Sequence, residues 1–321
     1  MRLALLTLSA FAQDHLALVF QHWQRQASFY VHVDAKVPVS PALADIQSPH
    51  WRLMAHRHRV HWGAWSMVAA ALDMLEAAYA DGHDYFALIS DDSAPLHAEP
   101  VLRQRLARHG DLMAGAPVDP QSHLANRFQY RYFLDVGPLN PRFAERPPMY
   151  RWGFTPEEVE QLRAALAQPQ PTAPYGTFHK GKAWWGLTRE SAGALLAVVR
   201  ERPETLRFFS GCANPDESFF QTLYFQELGR PSRNLFMFDD FSDPKQRPRV
   251  FNAPTDPLID TRFCFARKVR PGPEALEALG LHYRRLEQAG APGPLPAAAL
   301  WHPGAGAAPL PALPMAGPAT H

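Results

Sequence analysis

Acidic and hydroxyl side chains follow one strongly apolar stretch of the sequence. Residues 84–90 (DYFALIS) predict a strand buried on both faces, and Ser90, Asp91 and Asp92 stand at its carboxyl end. Carboxylate oxygens suit a hard divalent cation, so Asp91 and Asp92 could hold Mg²⁺ or Mn²⁺. Adjacent acids at a turn are equally typical of plain turn formers and helix caps, so both interpretations stay open.

A second pair of acids stands at the start of a predicted helix. The order of residues is that expected of a helix N-terminus: Asn214, a proline, and the acids Asp216 and Glu217. Acids in a first turn ordinarily offset the helix dipole, an effect of about 0.3–1 kcal/mol. One of them could instead face a reaction centre as a general base that removes a proton from a hydroxyl group. Taken alone, the motif favours the first interpretation.

Basic and aromatic side chains cluster in the second half of the chain. Arg267 and Lys268 follow an aromatic stretch and suit a diphosphate, although such pairs are commonly just solvated. Arg233 is a second candidate of the same kind. Trp184 and Trp185 could form a platform for a sugar ring, although tryptophans on a strand are more often core residues.

Three histidines, His56, His58 and His61, stand at a spacing that resembles a metal site. No acid is interleaved, and the neighbouring Arg57 and Arg59 would repel a cation. The sequence therefore predicts no metal site here.

Strands and helices alternate along the first hundred residues. Strands are predicted at 3–8, 28–33 and 84–90, an extended segment at 51–60, and helices at 14–26 and 66–80. This alternation predicts a mostly parallel α/β sheet, whose ligands bind at the carboxyl ends of its strands. Asp34 follows the second strand, so we expect it at the same edge of the sheet as Asp91 and Asp92.

The second half of the chain is less regular. We predict a strand at 183–187, helices that begin near Thr155, Thr188 and Asn214, and loops elsewhere between residues 109 and 175. The resulting division is a single catalytic domain at 1–272, a C-terminal helix at 273–289 and a tail at 290–321. The tail is rich in Pro and Ala and is expected to be disordered, because it can bury too little apolar surface.

Composition narrows the classes of function. The chain has 321 residues, 46% of them hydrophobic, and a formal net charge of +1, so nucleic acid is not an expected partner. The two cysteines predict neither a disulfide framework nor a zinc cluster. The apolar N-terminal run is shorter than the roughly 20 residues that span a bilayer. It is interpreted as the first strand rather than a signal peptide, and no transmembrane segment is expected.

Several short motifs occur in order along the chain. They are YVHVDAK at 30–36, HWGAWSMV at 61–68, YFALISDDSAPL at 85–96, GKAWWGLTR at 181–189, PDESFFQT at 215–222 and FARK at 265–268. Over residues 1–270 this series resembles the core-2/I-branching β-1,6-N-acetylglucosaminyltransferase and peptide O-xylosyltransferase family. The resemblance implies a GT-A-type Rossmann-like fold, a UDP-GlcNAc or UDP-xylose donor and inversion at the anomeric carbon, giving a β-linkage. It also implies catalysis without a divalent metal or other cofactor.

The resemblance also assigns roles to individual residues. Glu217 matches the general base, and Asp34 matches the acid that contacts the uracil end of the donor. Arg267 and Lys268 match basic residues that replace a metal at the diphosphate, with Arg233 as a helper. Trp184 and Trp185 fall in the stretch that lines the acceptor cleft.

One departure from the family pattern concerns the donor site. Ser90, Asp91, Asp92 and Ser93 stand where the family has Ser-Gly-x-Asp, so an acid replaces the glycine and a serine replaces the later acid. This leaves the donor sugar open, as well as a metal-dependent variant that uses Asp91 and Asp92. A catalytically inactive protein that binds UDP or glycan is the non-enzyme alternative. We expect a cytoplasmic protein, free or peripheral to the inner face of the membrane, whose acceptor is a glycan, lipid-linked glycan or protein.

Overall fold

The computed structural model describes residues 1–25, 27–136, 155–167, 171–242 and 248–288. Its strands are β1 (Leu3–Ser9), β2 (Ala27–Val33), β3 (Trp51–Leu53), β4 (Tyr85–Ser90), β5 (Ala94–Pro95), β6 (Gly115–Pro117), β7 (His179–Gly181), β8 (Trp185–Thr188), β9 (Met237–Asp239) and β10 (Phe265–Arg267). Its helices are α1 (Gln13–Trp23), α2 (Pro41–Ala44), α3 (Trp65–Ala80), α4 (Glu99–His109), α5 (Asn126–Gln129), α6 (Pro156–Ala167), α7 (Arg189–Glu201), α8 (Pro203–Phe209), α9 (Phe219–Glu227) and α10 (Pro273–Gln288). Short 3₁₀ turns lie at His123–Ala125 and Pro215–Glu217.

The central sheet has five strands in the order β3-β2-β1-β4-β8. The first four run parallel, and β8 pairs antiparallel with β4 at the edge. Strand β4 is buried along its whole length, as its continuous apolar run predicts. Smaller sheets join β5, β10 and β9, and β6 with β7. The predicted α/β class, a parallel-rich sheet flanked by helices, is confirmed.

Two helix starts follow the predicted capping chemistry. The Thr155 hydroxyl accepts a hydrogen bond from the Glu158 N–H at 3.2 Å, and the Glu158 carboxylate accepts one from the Thr155 N–H at 3.0 Å. This reciprocal capping box fixes the start of α6. The Thr188 hydroxyl accepts from the Ser191 N–H at 3.4 Å and caps α7 in the same way.

The predicted helix at Asn214 has a different form. A 3₁₀ turn at Pro215–Glu217 precedes α9, which begins at Phe219. Asn214 adopts a left-handed conformation with φ 50° and makes no side-chain cap. Its main-chain N–H instead donates to the Gly63 carbonyl at 2.8 Å, and this tertiary contact overrides the local capping preference. Asn214 thus stands at the predicted N-cap position, with Pro215 and the two acids following it, but its side chain does not cap the turn.

The C-terminal helix belongs to the compact unit Met1–Ala291. Helix α10 lies where the sequence predicts it, and its Leu279 and Tyr283 side chains are buried in the main core. The Tyr283 hydroxyl lies 3.2 Å from His15 Nε2 of α1. The predicted tail at 290–321 lies outside the described residues. Among the described helices, none combines the length and apolar character needed to cross a membrane.

Candidate active site

Cationic side chains converge on Asp92, just past the carboxyl end of β4. Arg270 donates to Asp92 Oδ2 from Nε at 3.1 Å and from Nη2 at 2.8 Å, and Arg267 Nε lies 3.7 Å from Oδ1. Burial opposes ionisation of Asp92, but Arg267, the Ser90 hydroxyl, Arg270 and Lys268 outweigh it and lower the pKa of the carboxyl group. We call Arg267, Lys268 and Arg270 the arginine cluster. Sequence reasoning missed Arg270, which lies beyond the FARK motif.

Asp91 belongs to a different hydrogen-bond network. Its Oδ2 accepts from the Ala10 N–H at 2.7 Å, the Ala12 N–H at 3.0 Å and the Ser9 hydroxyl at 3.1 Å. Ser9 ends β1, and Ala10 and Ala12 lie in the turn that leads to α1, so Asp91 ties this turn to the end of β4. Protein donors thus engage Asp91 Oδ2 and both oxygens of Asp92. This arrangement fits the turn-forming interpretation of the two acids better than metal ligation.

Glu217 ends the 3₁₀ turn and lies between two cations. Arg127 Nη1, from α5, donates to Glu217 Oε2 at 2.8 Å, and Lys180 Nζ, from β7, lies 3.7 Å from the same oxygen. The Glu217 side chain is 31% exposed, so solvent and ligands reach it. We call Glu217, Arg127 and Lys180 the carboxylate cluster. No local pattern marks Arg127 or Lys180 as partners of Glu217, since neither lies near it in the chain.

Asp216, the preceding residue, has the opposite environment. Its Oδ1 is buried and has no hydrogen-bond partner among the described residues. Burial, followed by the neighbouring charge of Glu217, raises the pKa of Asp216 to about 7. Two adjacent acids with such different surroundings are typical of sites that assign separate roles to their carboxyl groups.

The segment from Lys180 to Trp184 connects the two clusters. Lys182 forms an ion pair with Asp239, at the end of β9. Asp239 is the register partner of Arg267 in the neighbouring strand β10. The Arg267 guanidinium in turn lies over the Trp184 ring, 4.8 Å from its centroid. One short piece of chain therefore runs from the carboxylate cluster to the arginine cluster.

Asp34 lies at the carboxyl end of β2, as the sequence predicts. Its main-chain N–H donates to the Ser9 carbonyl at 2.9 Å, which places it beside the end of β1. Its buried carboxylate pairs with Lys36 Nζ at 2.7 Å and accepts from the Val60 N–H at 3.2 Å. Asp34 thus organises the loop at this end of the sheet, and its contact with uracil stays a prediction.

The structure separates Arg233 from the arginine cluster. Its side chain donates to the carbonyl of His109, at the end of α4, and its main-chain N–H donates to Met113 at 2.8 Å. The neighbouring Gly110 carbonyl accepts from the hydroxyl of Tyr85, the first residue of β4, at 2.9 Å. Arg233 therefore lies towards the amino end of β4. The prediction that Arg233 helps to contact the diphosphate beside Arg267 and Lys268 is wrong.

The two tryptophans have different neighbours: Trp185 begins β8, whereas Trp184 precedes that strand. Trp185 is 0% exposed and packs against Phe220, with ring centroids 4.9 Å apart. The prediction that Trp185 lines an acceptor cleft is therefore wrong, since it is a core residue. Trp184 is 6% exposed and supports Arg267.

Fold and site together define an α/β protein with a cluster of cationic side chains around Asp92 and a solvent-accessible carboxylate, that of Glu217. The chain belongs to the Core-2/I-Branching enzyme family, whose family model matches residues 5–244. The protein is therefore a glycosyltransferase with a GT-A-like fold, and the resemblance seen in the motifs is confirmed. A comparison with curated proteins found no match.

Proposed function

We propose that the protein is an inverting glycosyltransferase that moves GlcNAc, or xylose, from a UDP-sugar to a hydroxyl group of a glycan or glycoconjugate. The product carries a β-linkage, and no divalent metal acts at the diphosphate. The observation that carries this proposal is the pairing of the two clusters through residues 180–184. An inverting displacement needs a base on the acceptor side and positive charge on the side of the leaving group.

Glu217 is the general base in this proposal. Arg127 and Lys180 both contact Oε2, so we assign Oε1 to the acceptor hydroxyl. As the acceptor oxygen forms its bond to the anomeric carbon, its proton passes to Glu217. The bond from the anomeric carbon to the UDP oxygen breaks, and its electron pair leaves with UDP.

The arginine cluster receives the leaving group. Arg267 and Lys268 neutralise the charge that develops on the diphosphate, and Arg270 adds a third cation around Asp92. Fixed cations can supply the stabilisation that a bound metal supplies in other enzymes. Asp34 and its loop contact the uracil end. The acceptor is a glycan, a lipid-linked glycan or a protein, and we place the reaction in the cytoplasm, free or at the inner face of the membrane.

The experiment is UDP release from a panel of UDP-sugars, measured for wild type and Glu217→Gln with and without EDTA. We expect one UDP-sugar to support turnover, and kcat to fall by about 10²–10⁴ in Glu217→Gln because a positioned base is lost. The UDP dissociation constant should stay unchanged. Glu204→Gln, at an exposed glutamate at the start of α8, is the matched control and should keep full activity.

Each opposite outcome has a definite meaning. Undiminished turnover of Glu217→Gln would remove Glu217 from its role. Complete loss of activity with EDTA would favour the metal-dependent alternative at Asp91 and Asp92. Tight UDP binding without turnover across the panel would indicate an inactive binding protein.

A further inference from the structure

Two histidines and an acid meet on the outer side of α3. Asp73 Oδ2 lies 3.1 Å from His56 Nδ1 and 2.9 Å from His58 Nε2, and the three potential ligand atoms all lie within 4.8 Å of one another. The two imidazole rings pack edge to face with centroids 4.4 Å apart. The acid that the local sequence lacks is thus supplied by a helix further along the chain.

Arg57, which stands between the two histidines in the chain, is directed elsewhere. Arg57 points away from the cluster and donates to the main-chain carbonyls of Val33 at 2.9 Å and Val37 at 2.5 Å. His56 and His58 both contact Asp73, whereas Arg57, between them in the chain, does not. His61 is outside the group, and its main-chain N–H donates to the Ser66 hydroxyl at 3.0 Å.

We infer that His56, His58 and Asp73 bind a zinc ion, with a fourth position open to water. Two imidazole nitrogens and one carboxylate oxygen are a donor set that zinc accepts, whereas Mg²⁺ and Ca²⁺ prefer oxygen ligands alone. Ligands held about 2.0–2.2 Å from a tetrahedral zinc ion lie roughly 3.3–3.6 Å apart. Asp73 Oδ2 lies 2.9 and 3.1 Å from the two histidine nitrogens, slightly closer than this, and those nitrogens lie within 4.8 Å of each other. Binding the ion therefore requires a small outward shift of Asp73 and an approach of the two rings.

The site is connected to the loop that carries Asp34. The His58 main chain donates to His32 Nε2 at 2.7 Å and accepts from the Ala35 N–H at 2.9 Å. The Val60 N–H donates to Asp34 Oδ1 at 3.2 Å. A cation that ties His56 and His58 to α3 therefore also holds this loop in place. Zinc binding itself is independent of the proposed function. An effect of zinc on UDP affinity would rest on that function, because it requires Asp34 to contact the uracil end of the donor.

The test is calorimetric titration of ZnCl₂ into untagged, chelator-treated full-length protein. We expect one ion per chain for wild type. Asp73→Asn and His56→Ala should bind zinc more weakly than wild type does. Loss of a supporting contact to a ligand typically lowers metal affinity roughly 10–100-fold, and loss of a ligand should cost at least as much. His50→Ala changes an exposed histidine bonded to Ser28 and should bind zinc like wild type. Thermal unfolding of each variant without zinc shows that it is folded.

No saturable binding by wild type would overturn the inference, as would equal affinities in Asp73→Asn and His50→Ala. The titration contains no sugar nucleotide, so its outcome is separate from that of the transfer assay. In that assay, an EDTA effect that vanishes in His56→Ala arises from this site. An EDTA effect that persists in His56→Ala points to Asp91 and Asp92.

Discussion

Gly63 and Asn214 bring two distant motifs into direct contact. The Gly63 carbonyl accepts the Asn214 N–H at 2.8 Å, and a Cβ atom on Gly63 would lie 3.1 Å from Asn214 Nδ2. Gly63 also has φ +68°, a backbone conformation that residues with a Cβ atom rarely adopt. The position of Glu217, three residues after Asn214, therefore depends on the absence of a side chain at residue 63.

Gly63→Ala should lower both stability and kcat. The left-handed backbone costs about 1–3 kcal/mol for a residue with a side chain. Crowding of Asn214 should also displace Glu217, and misplacement of a catalytic group by about 1 Å can cost 10²-fold in rate. Urea unfolding and UDP release would measure the two effects.

Gly229→Ala is the matched control for this variant. Gly229 has φ +61°, but a Cβ atom there meets nothing within 4 Å. Gly229→Ala should lose stability as Gly63→Ala does, but it should keep the kcat of wild type. Equal kcat values in the two variants would show that Gly63 does not position Glu217.

Arg267→Lys should weaken UDP binding although the charge is retained. Lysine cannot reproduce the planar stacking on Trp184 or the forked donors of guanidinium. Loss of one charge-assisted hydrogen bond, about 1.5–3 kcal/mol, corresponds to a dissociation constant about 10- to 100-fold higher. Arg262→Lys, at a side chain 81% exposed and paired with Asp260, should bind UDP normally. Unchanged UDP affinity in Arg267→Lys would separate Arg267 from the diphosphate.

The features that sequence predicted best are those set by local chemistry. The apolar run at 84–90 has no polar face, so it had to be a covered strand, and β4 is buried throughout. Thr155 and Thr188 cap helices through hydrogen bonds that span three residues, and such patterns are visible in the chain itself. Each family motif is likewise one short, continuous stretch of the chain.

The features that sequence missed depend on which surfaces meet. Glu217 and Arg127 pair across 90 positions, and Asp73 reaches His58 across 15. No pattern in the chain marks such partners. The contrast between Trp184 and Trp185 likewise depends on the distant residues that each ring meets, Arg267 and Phe220. Asn214 carries a good capping sequence, but its contact with Gly63 determines its conformation.

Asp216 should make stability depend on pH. Burial raises its pKa from 3.8 to about 7 in the folded chain. Between these values the folded state keeps a proton that the unfolded state has released, so stability falls as pH rises and the full penalty is present above about pH 7. Over the two pH units from 5 to 7, the free energy of unfolding should fall by about 3 kcal/mol at most.

Asp216→Asn keeps the size of the side chain and removes the ionisable group, so its stability relative to wild type should rise from pH 5 to pH 8. Urea unfolding at both pH values measures this difference. Asp260→Asn serves as the control, because its hydrogen bonds with Arg262 lower the pKa of Asp260 and leave it ionised throughout this range. Parallel pH profiles for wild type and Asp216→Asn would mean that Asp216 is not held as a neutral acid. In that case the two acids of the motif share one protonation state, and the separation of their roles loses its physical basis.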